Sequence, residues 1–292
     1  MRFLVVGASG LIGGAVVEFL RPSGHSVLGT YNNHAAQGLT KLDIRDRRET
    51  IKIAMDFCPD IIVDATAMAD VDRCEKERNL CYIVNVLGTS HLIDAAKATR
   101  AKLVFFSSDY IFDGESGPYS EDASPHPINF YGACKMEAEN RILGTLKDFI
   151  IIRTTVVYGW EVQGKNFVVR LIETLKRGER TEVPLDQVGS PTYASNIPEA
   201  LLNLISKGEM GIFNVVGPEL MDRYTFARLT AEIFDLPKKL VIPTTTAALG
   251  KAAARPLHAG LKIDKLSSVT QVRMLNPEEG LRRMRASKRN PT

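Results

Sequence analysis

A doubly wound α/β fold on a parallel sheet is what this 292-residue sequence predicts, and a few observations carry that expectation. Short apolar runs alternate with segments of helical periodicity through the first half of the chain, the pattern of strands buried on both faces and joined by crossover helices. The first of those runs ends in the glycine-rich turn Gly7-Ala8-Ser9-Gly10-Leu11-Ile12-Gly13. Beyond Tyr158 proline and glycine punctuation thickens, at Gly178, Pro184, Gly189-Ser190-Pro191 and Gly217-Pro218, and marks a smaller lobe laid over the ends of the parallel strands.

Taken in order, residues 3–6 form an apolar strand, 7–10 a tight turn, and 13–20 a helix stopped by Pro22-Ser23-Gly24. Glycine is needed at such a turn because a Cβ would keep the backbone from a pyrophosphate, whose charge the following helix N-terminus stabilises. The bland alternative is a turn that is glycine-rich for steric reasons alone; the strand-turn-helix context favours the dinucleotide. Strands follow at 26–30 and 39–42, the latter ending at Asp43-Ile44, then a helix at 47–57, a strand at 61–65 and a helix at 80–98. A strand at 103–107, a helix at 131–146 and a strand at 149–153 complete a Rossmann-type half. Later segments read as a helix near 166–177, an extended stretch near 182–191, a helix at 196–206, a strand at 212–216 and a helix at 224–234. The expected division is a dinucleotide-binding domain over 1–158, rejoined by segments near 187–210, and a smaller C-terminal substrate lobe over most of 159–292.

Composition bounds the function classes. Hydrophobic content of 45% and charged content of 24% are ordinary for a globular protein. A net charge of +3 gives no electrostatic reason to expect nucleic acid or a membrane surface. The basic run from Arg282 to Arg289 reads as a solvated helix end and tail. The four cysteines, Cys58, Cys74, Cys81 and Cys134, show no C-x-x-C pair, and the histidines make no metal-ligand spacing, so no metal is expected and the thiols read as reduced. With no apolar run of membrane-spanning length and no leader before the first strand, the expectation is a cytoplasmic enzyme.

The chemistry centres on Tyr131 and Lys135, four apart at the start of a helix and so on one face. A nearby ammonium favours the phenolate, which turns an otherwise weak acid into a tunable proton donor. Such a pair alone is usually a surface coincidence. Upstream, the apolar strand Leu103-Val104-Phe105-Phe106 runs into Ser107-Ser108-Asp109-Tyr110 and sets two hydroxyls at a strand end, where they could bond a substrate carbonyl or simply satisfy a turn.

The glycine turn, the strand-end serine and the Tyr-x-x-x-Lys helix, in that order, resemble the extended short-chain dehydrogenase/reductases. Ser107-Ser108-Asp109-Tyr110-Ile111-Phe112-Asp113-Gly114 and Pro127-Ile128-Asn129-Phe130-Tyr131-Gly132-Ala133-Cys134-Lys135, with Gly164-Lys165-Asn166-Phe167, the segment from Gln187 to Thr192, and Ala254-Arg255-Pro256, are similar to the dTDP-4-dehydrorhamnose reductase family. The resemblance implies NADPH-dependent reduction of the C4 keto group of a nucleotide-linked 6-deoxy sugar. Tyr131 would protonate the carbonyl oxygen, Lys135 would hold the nicotinamide ribose and lower the Tyr131 pKa, and Ser108 would bond the same oxygen. Gly7, Ser9, Gly10, Leu11, Ile12, Gly13, Asn32, Asp43, Ile44, Ala65, Ala67 and Asn85 would surround or support the cofactor, and Ser107, Ser108, Asp109, Tyr110, Asn166 and Arg255 would meet the sugar. Glu121 would help fix its loop. A homodimer is compatible with this reading.

Departures from the family bear on the substrate. Val156 stands where the family usually places a tryptophan, and Leu257-His258-Ala259-Gly260 replaces an Asn-Ser pair after the Arg-Pro motif. The paired serines resemble equally the β subunit of methionine adenosyltransferase, which implies a nucleotide-binding regulatory subunit as the alternative; a nucleotide-sugar 4-epimerase is another. Cofactor choice follows charge: Gly29-Thr30-Tyr31-Asn32-Asn33-His34 has no carboxylate to repel a 2′-phosphate, so NADPH is expected ahead of NADH.

Overall fold

The computed structural model describes residues 1–287. Its first half follows the predicted alternation: β1 (Arg2–Val6), α1 (Leu11–Leu20), β2 (Ser26–Tyr31), β3 (Leu39–Lys41), α2 (Arg47–Phe57) and β4 (Ile61–Asp64). A short α3 (Val71–Lys76) comes next, followed by α4 (Arg78–Tyr82), a π-helical turn (Ile83–Leu87) and α5 (Gly88–Thr99). The helix expected over 80–98 is therefore locally widened, and the buried Asn85 lies in the widened turn. β5 (Lys102–Ser108), α6 (Phe130–Thr145) and β6 (Phe149–Thr154) close this half.

The second half holds β7 (Val157–Tyr158), α7 (Phe167–Lys176), β8 (Thr181–Pro184), β9 (Val188–Gly189), β10 (Thr192–Tyr193), α8 (Ile197–Ser206) and β11 (Gly211–Asn214). It ends with β12 (Met221–Asp222), α9 (Arg223–Ile233), β13 (Val241–Thr244), α10 (Asp264–Val269) and α11 (Pro277–Ala286). Sequence periodicity missed α3, α10 and β13 because each is only one or two turns, or one short strand. Helix α11 takes in much of the basic run read as a helix end and tail; it is started by a capping box between Asn276 and Glu279. Lys288 and Arg289 of that run lie outside the described residues.

A seven-stranded sheet of order β11-β6-β5-β4-β1-β2-β3 forms the centre, parallel at every pairing. Alternate residues feed opposite faces, which is why the strands are almost wholly apolar. Phe3, Val5, Val104 and Ile150 pack on one face with Val16 and Val17 of α1 and Leu201 and Leu204 of α8. Leu4, Val6, Ile62, Leu103 and Ile151 pack on the other with Leu92 of α5 and Ile142 of α6. The stretch from α8 to β11 thus rejoins the main sheet.

The strand order reverses between β1 and β4, and in open α/β sheets ligands bind outside the carboxyl ends of the strands at that switch point. Over this edge sits the smaller lobe, in which α7, α9 and α11 pack around Tyr158, Ile172, Phe226 and Leu281. Two-residue pairings such as the antiparallel β12–β9 tie its loops together. Among the described residues no helix is long and apolar enough to cross a membrane.

Candidate active site

The glycine turn is built for close approach. Gly7 has φ +85°, a left-handed conformation that L side chains rarely adopt, and a Cβ there would lie 2.9 Å from the Ala65 carbonyl oxygen. A Cβ on Gly13 would come within 2.3 Å of the Gly7 oxygen, so Gly13 seats α1 against the turn. Gly10 differs: its Cβ would meet nothing closer than the Gly7 oxygen at 3.4 Å, and no side chain caps the helix N-terminus it begins. Protein packing therefore does not require glycine at position 10. Ser9 lies in the same turn, its carbonyl oxygen accepting from Gln163 Nε2 at 3.0 Å.

Asn32 follows β2, and Lys41, from the end of β3, donates to both its backbone oxygen and its Oδ1, the latter at 3.2 Å. Residues 29–34 hold no lysine or arginine of their own, and strand pairing of Tyr31 with Lys41 brings one there from elsewhere. Asp43 is held by Arg45, whose hydrogen bonds keep the carboxyl below its ordinary pKa. Ile44 is buried, with its carbonyl oxygen 2.7 Å from His91 Nδ1. Ala65 and Ala67 lie on the loop after β4. Asn85 clasps that loop, accepting from Met68 N at 2.8 Å and donating to its oxygen at 3.2 Å, and so supports the site without lining it.

At the carboxyl end of β5, Ser107 is buried with no hydrogen-bond partner for its hydroxyl, while Ser108 donates to Asp109 Oδ1 at 3.0 Å and accepts from Tyr110 N. Thr155 donates to Asp109 Oδ2 at 2.6 Å. Burial raises the Asp109 pKa to about 6 in spite of those bonds. The Tyr131 phenol is close enough to Ser108 for that hydroxyl to act on its pKa, and it packs edge-on against Tyr110, ring centroids 5.9 Å apart.

Helix α6 is positioned by its start. Asn129 caps it by accepting from Gly132 N at 2.8 Å and reaches Ala254 O at 3.0 Å. Lys135, one turn on, is buried and donates to Phe106 O at 2.8 Å. The structure corrects one expectation here: Tyr131 is pushed above its ordinary pKa, chiefly by burial and next by the Asp109 charge, and the Lys135 ammonium does not override them. Tyr131 is consequently a neutral phenol, the form that can donate a proton. Beneath it Cys74, Cys81 and Cys134 meet in one buried cluster, with 2.7 Å between the Cys81 and Cys74 sulfurs.

Asn166 is a second correction. Its Oδ1 caps α7 by accepting from Val169 N, and its Nδ2 donates to Gly159 O and Glu161 Oε1, so the amide is committed to the chain itself. Arg255 pairs with Asp72 at 2.8 Å. Glu121 does fix its loop, accepting from Asn214 N while its backbone oxygen accepts from Arg153. The groove beside the strand end is lined by Asp109, Tyr110, Thr155, Val156, Gln187 and Arg223, among others. Val156, at φ +47°, is a β-branched residue in a region that strains it.

The family described as RmlD substrate binding domain matches residues 1–289. The dTDP-4-dehydrorhamnose reductase of Aggregatibacter actinomycetemcomitans is 32% identical, over 98% of this chain and 98% of its own length. Methionine adenosyltransferase 2 subunit beta of Xenopus laevis is 30% identical, over 92% of this chain and 82% of its own length. Among solved structures, the Bacillus anthracis dTDP-4-dehydrorhamnose reductase in complex with NADP superimposes with a TM-score of 0.90 at 30% identity, covering 98% of this chain and 99% of that one.

Proposed function

The chain belongs to the RmlD substrate binding domain family, and from that premise we propose that it reduces the C4 keto group of a nucleotide-linked 6-deoxy sugar, dTDP-4-dehydrorhamnose or a close relative, using NADPH in preference to NADH. It is an NAD(P)H-dependent reductase by fold and family. The observation that carries the reading is the convergence of Ser108, Tyr131 and Lys135 where β5 ends, beside a glycine turn in which packing does not require glycine at position 10.

Gly7 to Gly13 and the N-terminus of α1 would hold the dinucleotide diphosphate, and Lys135 would reach its nicotinamide ribose. When bound, the dinucleotide supplies the hydride. Tyr131, kept neutral by burial, gives its proton to the carbonyl oxygen as negative charge develops there. Ser108 bonds the same oxygen and orients it toward Tyr131. Closure of the site by Tyr110 and the smaller lobe excludes water. Lys41 beside Asn32 supports NADPH, because its ammonium can answer a 2′-phosphate that a carboxylate would repel.

A second reading, a nucleotide-binding regulatory subunit, is favoured by the paired Ser107 and Ser108 and by the methionine adenosyltransferase relative. One assay separates the two. NADPH oxidation is followed at 340 nm with freshly made dTDP-4-dehydro-6-deoxy-L-mannose, NADH in parallel and Tyr131→Phe as the blank. Tyr131-dependent oxidation is the expected result; cofactor binding with no turnover overturns the reductase reading in favour of the regulatory one.

A further inference from the structure

Arg223 begins α9, and its place is set by backbone alone: the β12–β9 pairing leads into it, and its N–H donates to Gln187 O at 2.9 Å. Arg223 lines the groove together with Asp109 and Tyr110. Its guanidinium lies over the Phe167 ring, 5.2 Å from the centroid, and among the described residues no carboxylate or carbonyl oxygen accepts from it. Of the neighbouring charges, Asp109 is close enough to favour the Arg223 cation but forms no hydrogen bond or ion pair with it. Both Asp109 oxygens are engaged by Ser108 and Thr155, and Arg255 is taken by Asp72. Arg170, one turn along α7 from Phe167, adds a further positive charge close enough to repel Arg223.

A guanidinium carries five N–H donors, and Arg223 is half-buried, so turning any of those donors away from water without an acceptor is unfavourable. Stacking on Phe167 offsets part of that cost and leaves the donors unanswered. Arg223 in the groove and the exposed Arg170 near it repel one another, which favours an incoming anion. The arrangement makes sense as a preformed receptor for an oxyanion, which the planar fork of arginine binds with two parallel hydrogen bonds.

We propose that Arg223, with Arg170 beside it, binds an oxyanion of the substrate. The proposal rests on the reading of the chain as a nucleotide-sugar reductase. The oxyanion is the diphosphate that joins nucleotide to sugar, because a 6-deoxy sugar carries no carboxylate. Arg223 thereby sets the position of the sugar relative to Ser108 and Tyr131, since it lines the same groove as Asp109 and Tyr110, the residues that follow Ser108.

Calorimetric titrations of the full chain saturated with NADPH test this, using dTDP, UDP, thymidine, UDP-glucose and UDP-glucuronate as probes. Arg223→Gln should weaken dTDP and UDP on the order of tenfold or more, as expected for loss of a charge-assisted hydrogen-bonded pair. Arg223→Lys should fall between, thymidine should be indifferent, and added salt should weaken the wild type more than Arg223→Gln. If dTDP and UDP keep their affinity in Arg223→Gln and only the advantage of UDP-glucuronate over UDP-glucose disappears, the diphosphate assignment is overturned in favour of a sugar carboxylate. Wild-type affinity for every probe in both variants, with NADPH binding and melting temperature showing them folded, overturns the assignment. Turnover separates this from the broader reading: keto-sugar reduction with an unchanged KM in Arg223→Gln sinks the arginine site alone. Arg223-dependent dTDP binding without wild-type turnover sinks the reductase reading alone.

Discussion

A Cβ placed on Gly132 would lie 1.9 Å from the carbonyl oxygen of Tyr110. Position 132, in the first turn of α6, is therefore glycine because α6 is pressed against the turn that follows Ser108. That contact sets the separation between Tyr131 and the strand-end hydroxyls. Gly132→Ala should force the helix outward, lowering stability by about 1–3 kcal/mol, the usual cost of overpacking. It should also reduce turnover more than it reduces NADPH affinity. Thermal melts and steady-state kinetics on one preparation check this; a variant with wild-type kcat and melting temperature would show that the approach is not rigid.

Asp109 gives a pH dependence with a definite sign. Its pKa is raised from 3.8 to about 6, chiefly because burial disfavours the carboxylate. The folded pKa exceeds the unfolded one, so its contribution to stability is fully present below about pH 4 and is lost as pH rises through about 6. The loss is on the order of 2–3 kcal/mol. Asp109→Asn, which cannot ionise, should gain stability relative to wild type between pH 4 and 7, measured as the difference in denaturant midpoints. A difference that stays flat across that range would mean that Arg223, Ser108 and Thr155 hold the carboxylate charged throughout.

Gly10 and Gly13 separate ligand from fold. Gly13→Ala places a methyl 2.3 Å from Gly7 O, so it should destabilise the protein whether or not cofactor is present. Gly10→Ala meets only ordinary contact at 3.4 Å and its φ is −90°, so the folded chain should tolerate it within about 1 kcal/mol, the scale of a helix cap change. Its effect should appear in NADPH affinity. Equal affinity in Gly10→Ala and wild type would contradict the assigned diphosphate cradle.

What could be read beforehand was local. The strand-turn-helix at Gly7 to Gly13 and the Tyr131-to-Lys135 spacing each lie within one continuous segment, and periodicity and glycine placement suffice for both. The environment of those residues depends on tertiary packing. Arg223 comes to line the groove with Asp109 only through the two-residue β12–β9 pairing, which leaves no periodic signal. Asn166 was read as a polar group for the substrate, yet its place three residues before the Val169 N–H it caps was a helix-start signal in plain view. The Tyr131 pKa was read from its partner Lys135 alone; burial, which the sequence expresses only weakly at a helix start, dominates it.

Lys41 illustrates the same point for cofactor choice. It is nine residues from Asn32 in sequence, and parallel pairing of β2 with β3 sets its ammonium on the Asn32 oxygens. The neutral Asn32 permits a 2′-phosphate, and Lys41 attracts one; the ammonium is exposed, so the attraction is screened and should be modest. Lys41→Ala should weaken NADPH on the order of three- to tenfold, the range of about 1 kcal/mol for an exposed charge pair. NADH, which has no 2′-phosphate, should be unaffected. Raising the salt concentration should erode the wild-type preference for NADPH and leave Lys41→Ala insensitive. Fluorescence titration of the reduced cofactors at two ionic strengths reads all of these quantities. An NADPH-to-NADH affinity ratio identical in the two proteins would move the source of any preference to Asn33 or His34, the polar groups that follow Asn32 on the same loop.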